Sequence, residues 1–398
     1  MGIVCCPPHR ECGMRGTEAN QQVLFSYVAI EARIPSDHPL RAMKALLEPV
    51  LTELAPRFAT MYAEAGRPSI PPEQLLRALL LQVLYTVRSE RQLMEQLEYN
   101  LLFRWFVGLG MDDAVWHPTT FTKNRDRLLA GSVAEAFFAA VVRQADTRGL
   151  LSREHFTVDG TLLEAWASHK SVRPKDGGPT DGGPTDGGAV PNDGAGAAPG
   201  VGRNAEADFR GQKRSNATHA SVTDPDARLA RKGPGKPAVL AYEASVLTDN
   251  RHGLVVATAV GHATGTAEVE QAEQMLSAVS AEPTGRTGRR TLGADKLYDQ
   301  HGFVAAAREL AFAPHVARND HATHPSAIDV ALTHAPGYAE SQRRRKLVEE
   351  GFGWGKVVGL LRKLRHRGVG LVDWVFTFTM GIYNLVRIRT LIRVGVCT

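Results

Sequence analysis

The strongest constraint on this chain is a stretch that has nothing to fold with. It reads Asp176-Gly-Gly-Pro-Thr, Asp181-Gly-Gly-Pro-Thr, Asp186-Gly-Gly, and Ala, Gly and Pro continue as far as Gly202. So little apolar surface cannot offset the entropy of ordering the backbone, so residues 170–212 are expected to be a flexible excursion. Structureless loops of that length are uncommon inside a domain, so it is either a linker or an insertion hung on a loop. Each flank is long enough for a domain of about 100–200 residues. The chain is 43% hydrophobic and 22% charged, which is globular composition. Its net charge of +5 and pI of about 9.0 permit a polyanionic partner, provided the positive charge clusters.

Before the excursion the pattern is helical. Leu40, Met43, Leu46, Leu47, Val50 and Leu51 fall in 3–4 spacing, with Ser36 or Asp37 as cap, and Pro49 is expected to kink or split the helix. Pro71 and Pro72 open a second helix over residues 73–87, apolar almost all round. Ser89-Glu-Arg-Gln92 reads as a capping box for a helix ending near Asn100. After an aromatic run, Thr119 or Thr120 is the expected cap of a polar helix carrying Lys123, Arg125 and Arg127. Short helices with tight joins suit either a helix-turn-helix-like DNA reader or an ordinary bundle. Between Arg88 and Arg127 six bases face six acids, so this is no simple basic patch.

From residue 154 the period becomes two. A strand over residues 154–159 ends in Asp159, and residues 240–247 and 254–260 read as two strands of a hairpin. Residues 290–295 form another short strand ending in Asp295. Helices are expected over residues 268–279, 301–310, 348–364 and 374–392. The fold class is therefore α+β: an N-terminal helical domain (14–150), then a mixed sheet flanked by helices (151–398) interrupted by the insertion. Residues 1–13 read as a disordered leader. Zinc is not expected on Cys5, Cys6, Cys12 and His9, because adjacent cysteines beside Pro7–Pro8 lack paired-ligand spacing. No run of about 18 uncharged apolar residues occurs, so no membrane span is expected and the protein is placed in the cytoplasm.

Carboxylates at the ends of neighbouring strands converge at one sheet edge, an arrangement that suits hard divalent cations. Glu349 or Glu350 on a crossing helix offers a third. The alternative is that each Asp merely caps a turn. The surroundings favour chemistry on a polyanion. Between Arg343 and Arg367 stand nine Lys or Arg (Arg343, Arg344, Arg345, Lys346, Lys356, Arg362, Lys363, Arg365 and Arg367) against two acids. That density suits phosphate contacts better than a solvated helix face.

Taken in order, these stretches resemble bacterial insertion-sequence transposases of the DDE type, in the IS-five branch related to the IS-four group. The match is carried by Asp37-His-Pro-Leu-Arg, Arg88-Ser-Glu-Arg-Gln-Leu, Asn100-Leu-Leu-Phe-Arg-Trp and Phe121-Thr-Lys-Asn-Arg in the first half. In the second half it is carried by Thr157-Val-Asp-Gly-Thr, Thr223-Asp-Pro-Asp, Leu292-Gly-Ala-Asp-Lys and Glu349-Glu-Gly-Phe-Gly-Trp-Gly-Lys356. The resemblance implies an RNase H-like catalytic domain binding Mg²⁺, with Mn²⁺ able to substitute, through Asp159, Asp295 and Glu349. The family spacing of Arg, Glu and Lys falls on Arg345, Glu349 and Lys356, and selects Glu349 over Glu350. Gln342 stands where that motif often opens with Tyr, and Leu297 replaces a Gly after the second Asp, where a tight turn is expected to be strained.

The implied activity is cleavage at the element's terminal inverted repeats and transfer of the 3′-hydroxyl ends to target DNA. Double-stranded DNA is the partner, Arg345, Lys356, Arg362, Lys363, Arg365 and Arg367, with Lys123, Arg125 and Arg127 of the N-terminal half, the DNA and phosphate contacts, and a homodimer on DNA the working form. The competing class is a non-catalytic remnant that binds DNA as a repressor. Limited proteolysis of the full chain is expected to nick residues 175–202 first, and deleting them is expected to leave the unfolding transition unchanged. Resistance of that segment in free protein would rule out the flexible reading.

Overall fold

The computed structural model describes residues 29–62, 69–175, 215–233, 235–281, 290–320 and 325–396. The leader, the Cys5–Cys6–His9–Cys12 cluster and most of the insertion 170–212 lie outside the described residues.

The first half is helical: α1 (Ile30–Arg33), α2 (Pro39–Met61), α3 (Pro72–Leu84), α4 (Glu90–Tyr99), α5 (Leu101–Val107), α6 (Pro118–Ala130) and α7 (Val133–Thr147). The cap of α2 is His38, not Ser36 or Asp37; its Nδ1 accepts from Leu40 N at 3.2 Å. Neither Pro49 nor Pro56 splits α2. Eight buried apolar side chains from Leu40 to Phe58 hold the helix across the hydrogen bonds that the prolines remove. Ser89 Oγ accepts from Gln92 N as the capping box requires, while Gln92 Oε1 accepts from Arg88 N, one residue earlier than expected. The aromatic run is itself a helix, α5, begun by Asn100 Oδ1 and stopped by left-handed Gly108. The cap of α6 is His117, with Pro118 at its first position, in place of Thr119 or Thr120.

The second half contains β1 (His155–Glu164), β2 (Val172–Pro174), β3 (His219–Ser221), β4 (Arg228–Ala230), β5 (Val239–Asp249), β6 (Leu254–His262), α8 (Ala267–Ala281), β7 (Arg290–Ala294), α9 (His301–Glu309), β8 (Phe312–Val316), α10 (Val330–Thr333), α11 (Pro336–Arg344), α12 (Leu347–Val357) and α13 (Val369–Arg393). The sheet is mixed. From β1, antiparallel β5 and then β6 lie on one side, and parallel β7 and β8 on the other; β4 shares the far edge of β5 with β6. β1 does not end at Asp159. It continues five residues, because β5 pairs with it without interruption from Phe156↔Asp249 to Glu164↔Ala241.

The insertion leaves and re-enters side by side. β2 pairs antiparallel with β3, and Lys175 N donates to Thr218 O at 3.0 Å, within the connection from β1 to β5. It is therefore hung on a two-stranded ribbon and is not a linker between domains.

The helix expected over residues 348–364 stops at Val357. A Cβ on Gly359 would lie 2.5 Å from Thr379 Cγ2, and Leu360 takes a left-handed φ of 64°. Residues 358–368 instead run beside the end of β1, where Leu364 N donates to Glu164 O and Lys363 bridges Glu164 in parallel.

α13 joins the two halves. It is as long and apolar as a membrane span, yet 67% of its most apolar window is buried within the protein. Trp374, Phe378, Ile382 and Leu385 belong to the core of the N-terminal helices. Val372, Phe376, Met380 and Tyr383, two residues out of phase and so about 200° round the helix, belong to the core beneath the sheet. α7 and α13 meet tightly at Gly381, where a Cβ would lie 2.7 Å from Phe137 Cε1. Gly381→Ala is therefore expected to lower the unfolding free energy by about 1–3 kcal/mol, measured by denaturant titration. An unchanged midpoint would mean that α7 and α13 are not in tight contact.

Candidate active site

Alternation along β1 sends its side chains to two faces. Phe156 and Val158 enter the core under α8 and α9, whereas Leu163 enters the core under α12 and α13. Asp159 and Thr161 share the phase of Leu163 and face α12. Gly160 faces α8, and a Cβ on it would lie 2.6 Å from Glu268 Cδ and 2.9 Å from Glu243 Oε1. The Asp-Gly pair thus has a physical reason: Asp159 occupies one face, and the absent side chain leaves room for two carboxylates on the other.

Asp295 directly follows β7. Its Oδ1 accepts from Leu297 N at 2.8 Å, capping a tight turn over residues 296–298. The expected strain at Leu297 is absent; its φ is not in the left-handed region, and the side chain points to solvent. The same turn carries Tyr298 into the core, where its hydroxyl donates to Glu268 Oε1 at 2.9 Å.

Glu349 is in the first turn of α12 and is exposed. Its neighbour Glu350 points elsewhere, 3.3 Å from Arg387 on α13. Burial pushes the Asp159 carboxyl up to about 6; the Gly160 N–H and the Arg345 charge oppose this, and the charges of Asp295 and Glu349 reinforce it. β1, β7 and α12 therefore bring Asp159, Asp295 and Glu349 into one electrostatic cluster. Among the described residues no three His, Cys, Asp or Glu side chains stand close enough to hold a metal ion. The donor chemistry nevertheless fits a hard divalent cation: three oxygen donors whose mutual repulsion such a charge relieves. Glu349 is exposed and so free to turn toward the other two.

Two further acids, not anticipated from the sequence, stand behind this cluster. Glu243 on β5 is 7% exposed, and burial first, then Glu268 and Asp159, pushes its carboxyl up to about 8. Glu268 on α8 is pushed up to about 6 by burial, against the hydrogen bond from Tyr298. A lone acid in the apolar run Val239–Leu247 was the available signal for Glu243; nothing in sequence placed Glu268 beside it.

The cations divide. Arg345 lowers the Asp159 carboxyl, and its buried Nε has no partner among the described residues. Lys356, half-buried, donates to Thr161 Oγ1 at 2.5 Å, two residues beyond Asp159. Arg362 and Arg367 are exposed, Arg365 is half-buried and Lys363 lies 3.4 Å from Glu164; all four are on the irregular segment after α12 and not on a helix. On α6, Lys123 is exposed, and Arg127 bonds Asn124 and lies over the Tyr62 ring. Arg125 is engaged inside the protein, paired with Glu90 and Asp126.

Residues 28–127 match the family model described as a transposase domain (DUF772). No curated protein matches the chain. Solved structures similar to it include a piggyBac transposase synaptic complex with hairpin DNA, 10% identical with a TM-score of 0.41 over 89% of this chain and 76% of that one. A pre-cleavage Mos1 transpososome is 13% identical, with a TM-score of 0.20 over 82% of each chain.

The buried acids make stability fall as pH rises. A carboxyl whose folded pKa lies above its unfolded value holds a proton in the native state that the unfolded chain has released. For Glu243 the loss accumulates from about pH 4.5 to about pH 8, at up to about 1.4 kcal/mol per pH unit. Glu243→Gln is expected to raise Tm at pH 8 markedly more than at pH 5 in metal-free protein. An equal effect at both pH values would show that Glu243 does not carry this burden.

Proposed function

We propose that this chain is a transposase of the DDE type, in the IS-five branch, which cuts DNA at the ends of its own element and joins the freed 3′-hydroxyls to target DNA. The observation that carries the proposal is the cluster of Asp159, Asp295 and Glu349, with Glu350 turned away to Arg387. The transposase-domain match over residues 28–127 supports it independently from the other half of the chain. The sheet is read as RNase H-like, which accords with antiparallel partners on one side of β1 and parallel partners on the other.

Asp159, Asp295 and Glu349 would hold Mg²⁺, or Mn²⁺ in its place; when bound, such ions lower the pKa of the attacking hydroxyl and stabilise the leaving oxygen. The protein's own groups do the rest. The charge of Arg345, felt at Asp159, would offset that of a scissile phosphate lying there. Lys356, held by Thr161, fixes the next phosphate along the strand. In the first step water attacks phosphorus, the phosphodiester bond breaks, and the leaving 3′-oxygen takes a proton. In the second that 3′-hydroxyl attacks a target phosphate and displaces a target 3′-oxygen. The N-terminal helices would recognise the ends through Lys123 and Arg127, and two protomers would hold two ends together in the bacterial cytoplasm. The departures from the family pattern are accommodated: Leu297 is unstrained, and Gln342 Nε2 donates to Ala294 O and His315 O, tying α11 to the ends of β7 and β8. The remnant reading therefore gains nothing from them.

The test uses labelled end oligonucleotides with Mg²⁺. Asp159→Asn, Asp295→Asn and Glu349→Gln are each expected to abolish strand cleavage while leaving binding to end DNA intact, because the affinity comes from the cations. Glu350→Gln is expected to retain cleavage. Reversal of the Glu349 and Glu350 results would move the third acid by one residue. A wild-type protein that binds the ends but cleaves with neither Mg²⁺ nor Mn²⁺ would establish the remnant.

A further inference from the structure

Beside Lys356 the surface opens into a cleft of about 550 Å³, lined by Thr86, Arg88, Trp166, Lys356, Val357, Leu360, Arg362, Lys363 and Arg365. Five of these are cations and none is an acid; only Lys363 has an ion-pair partner among the described residues, at the rim. Arg88 and Arg365 oppose one another's charge, as do Lys356 and Arg362; Glu243 and Asp159 offset part of the charge of Lys356, and no acid lines the cleft itself, so it gathers positive charge. Trp166 is 46% exposed, an uncommon place for the largest aromatic side chain. It stands two residues past Glu164, which pairs with residue 363, and Ala165 N between them donates to Leu240 O, so the end of the sheet places it beside that segment.

Cations alone would suit any phosphate. An exposed indole among them selects for a partner with a flat π-face attached to the phosphate, that is, a nucleotide. The space holds one or two nucleotides and not a duplex. In a duplex, moreover, the base faces are already stacked on one another and cannot reach an aromatic ring in a cleft. We infer that this cleft binds unpaired DNA, one base stacking on Trp166 while Arg88, Arg362 and Arg365 take the flanking phosphates. The inference rests on the transposase reading and gives it a second subsite. Lys356 joins the two, because it contacts Thr161 on the acid-bearing strand and also lines the cleft. Glu349 and Lys356, seven residues apart, lie on the same side of α12 about 10 Å apart along its axis. A strand whose phosphate sits at the acids thus passes Lys356 and delivers its unpaired end to Trp166.

The test measures binding of the full chain, without divalent cation, to a fluorescent oligothymidylate of about 12 nucleotides and to a blunt duplex of equal length. Trp166→Ala is expected to weaken single-strand binding at least about fivefold, the low end for loss of one stacked base, and to leave duplex binding unchanged. Trp166→Phe should restore most of the loss, and Arg88→Ala should flatten the salt dependence for the single strand only. Circular dichroism confirms that each variant is folded. Unchanged single-strand affinity in Trp166→Ala, or an equal loss on both probes, overturns the inference. The cleavage assay on the wild type separates the two readings. Cleavage with no effect of Trp166 sinks the cleft alone, whereas Trp166-dependent binding without cleavage keeps the cleft and sinks the enzyme.

Discussion

The structure depends on the burial of α13 on two opposite sides. One stripe, from Trp374 to Leu385, completes the core of the N-terminal helices; the other, from Val372 to Tyr383, roofs the sheet beside α12. A helix apolar all round must be buried all round, and this one has no other place to be. Its few polar groups are spent on holding it there. Asn384 accepts from Val255 N at 2.9 Å and donates to Val255 O at 2.7 Å, serving β6 where its pairing with β5 shifts register. Asp226 accepts from Val369 N, and Asp224 accepts from the Tyr242 hydroxyl and Gly368 N, fixing the start of the helix. The Thr-Asp-Pro-Asp stretch is thus an anchor for α13 and not part of the acid cluster.

With α13 seated, α12 is pressed across the end of β1, and that contact determines which acid faces the site. The opposition of Glu349 to Asp159 and of Glu350 to Arg387 follows from the rotation of one residue along a helix whose buried positions are Val348, Gly351, Phe352 and Gly355. The same seat explains the truncation of α12. Gly359 must pass so close to Thr379 that the chain leaves the helix there, and the basic residues that follow are laid beside β1 as a cleft wall instead of a helical stripe.

The acid cluster is costly in isolation. Asp159, Glu243 and Glu268 are all pushed above their ordinary range by burial and by one another. Such repulsion weakens the fold at neutral pH unless positive charge arrives. Cations gather beside the acid cluster around Lys356, whose charge Glu243 and Asp159 partly offset.

Much of this was legible in sequence. Period-two and period-3.6 patterns located most strands and helices, and strand-end acids and charge density pointed to Asp159, Asp295 and the stretch around Glu349 and Glu350, while the family resemblance singled out Glu349, Arg345 and Lys356. Local chemistry suffices for such features, since alternation, caps and charge density are properties of neighbouring residues. What the sequence did not determine were relations between distant segments. Pro49 read as a kink or break, but burial along α2 overrode it. Asp159 read as a strand end, but β5 extended the ladder beyond it. Glu243 and Glu268 meet across Gly160 although about a hundred residues separate them from it. Trp166 reads as one aromatic residue among several until Arg88, Arg362 and Arg365 are folded around it. The sequence by itself determined the elements and the chemistry they carry; only the tertiary structure decided which faces meet, because burial and charge act through space on groups that the chain holds far apart.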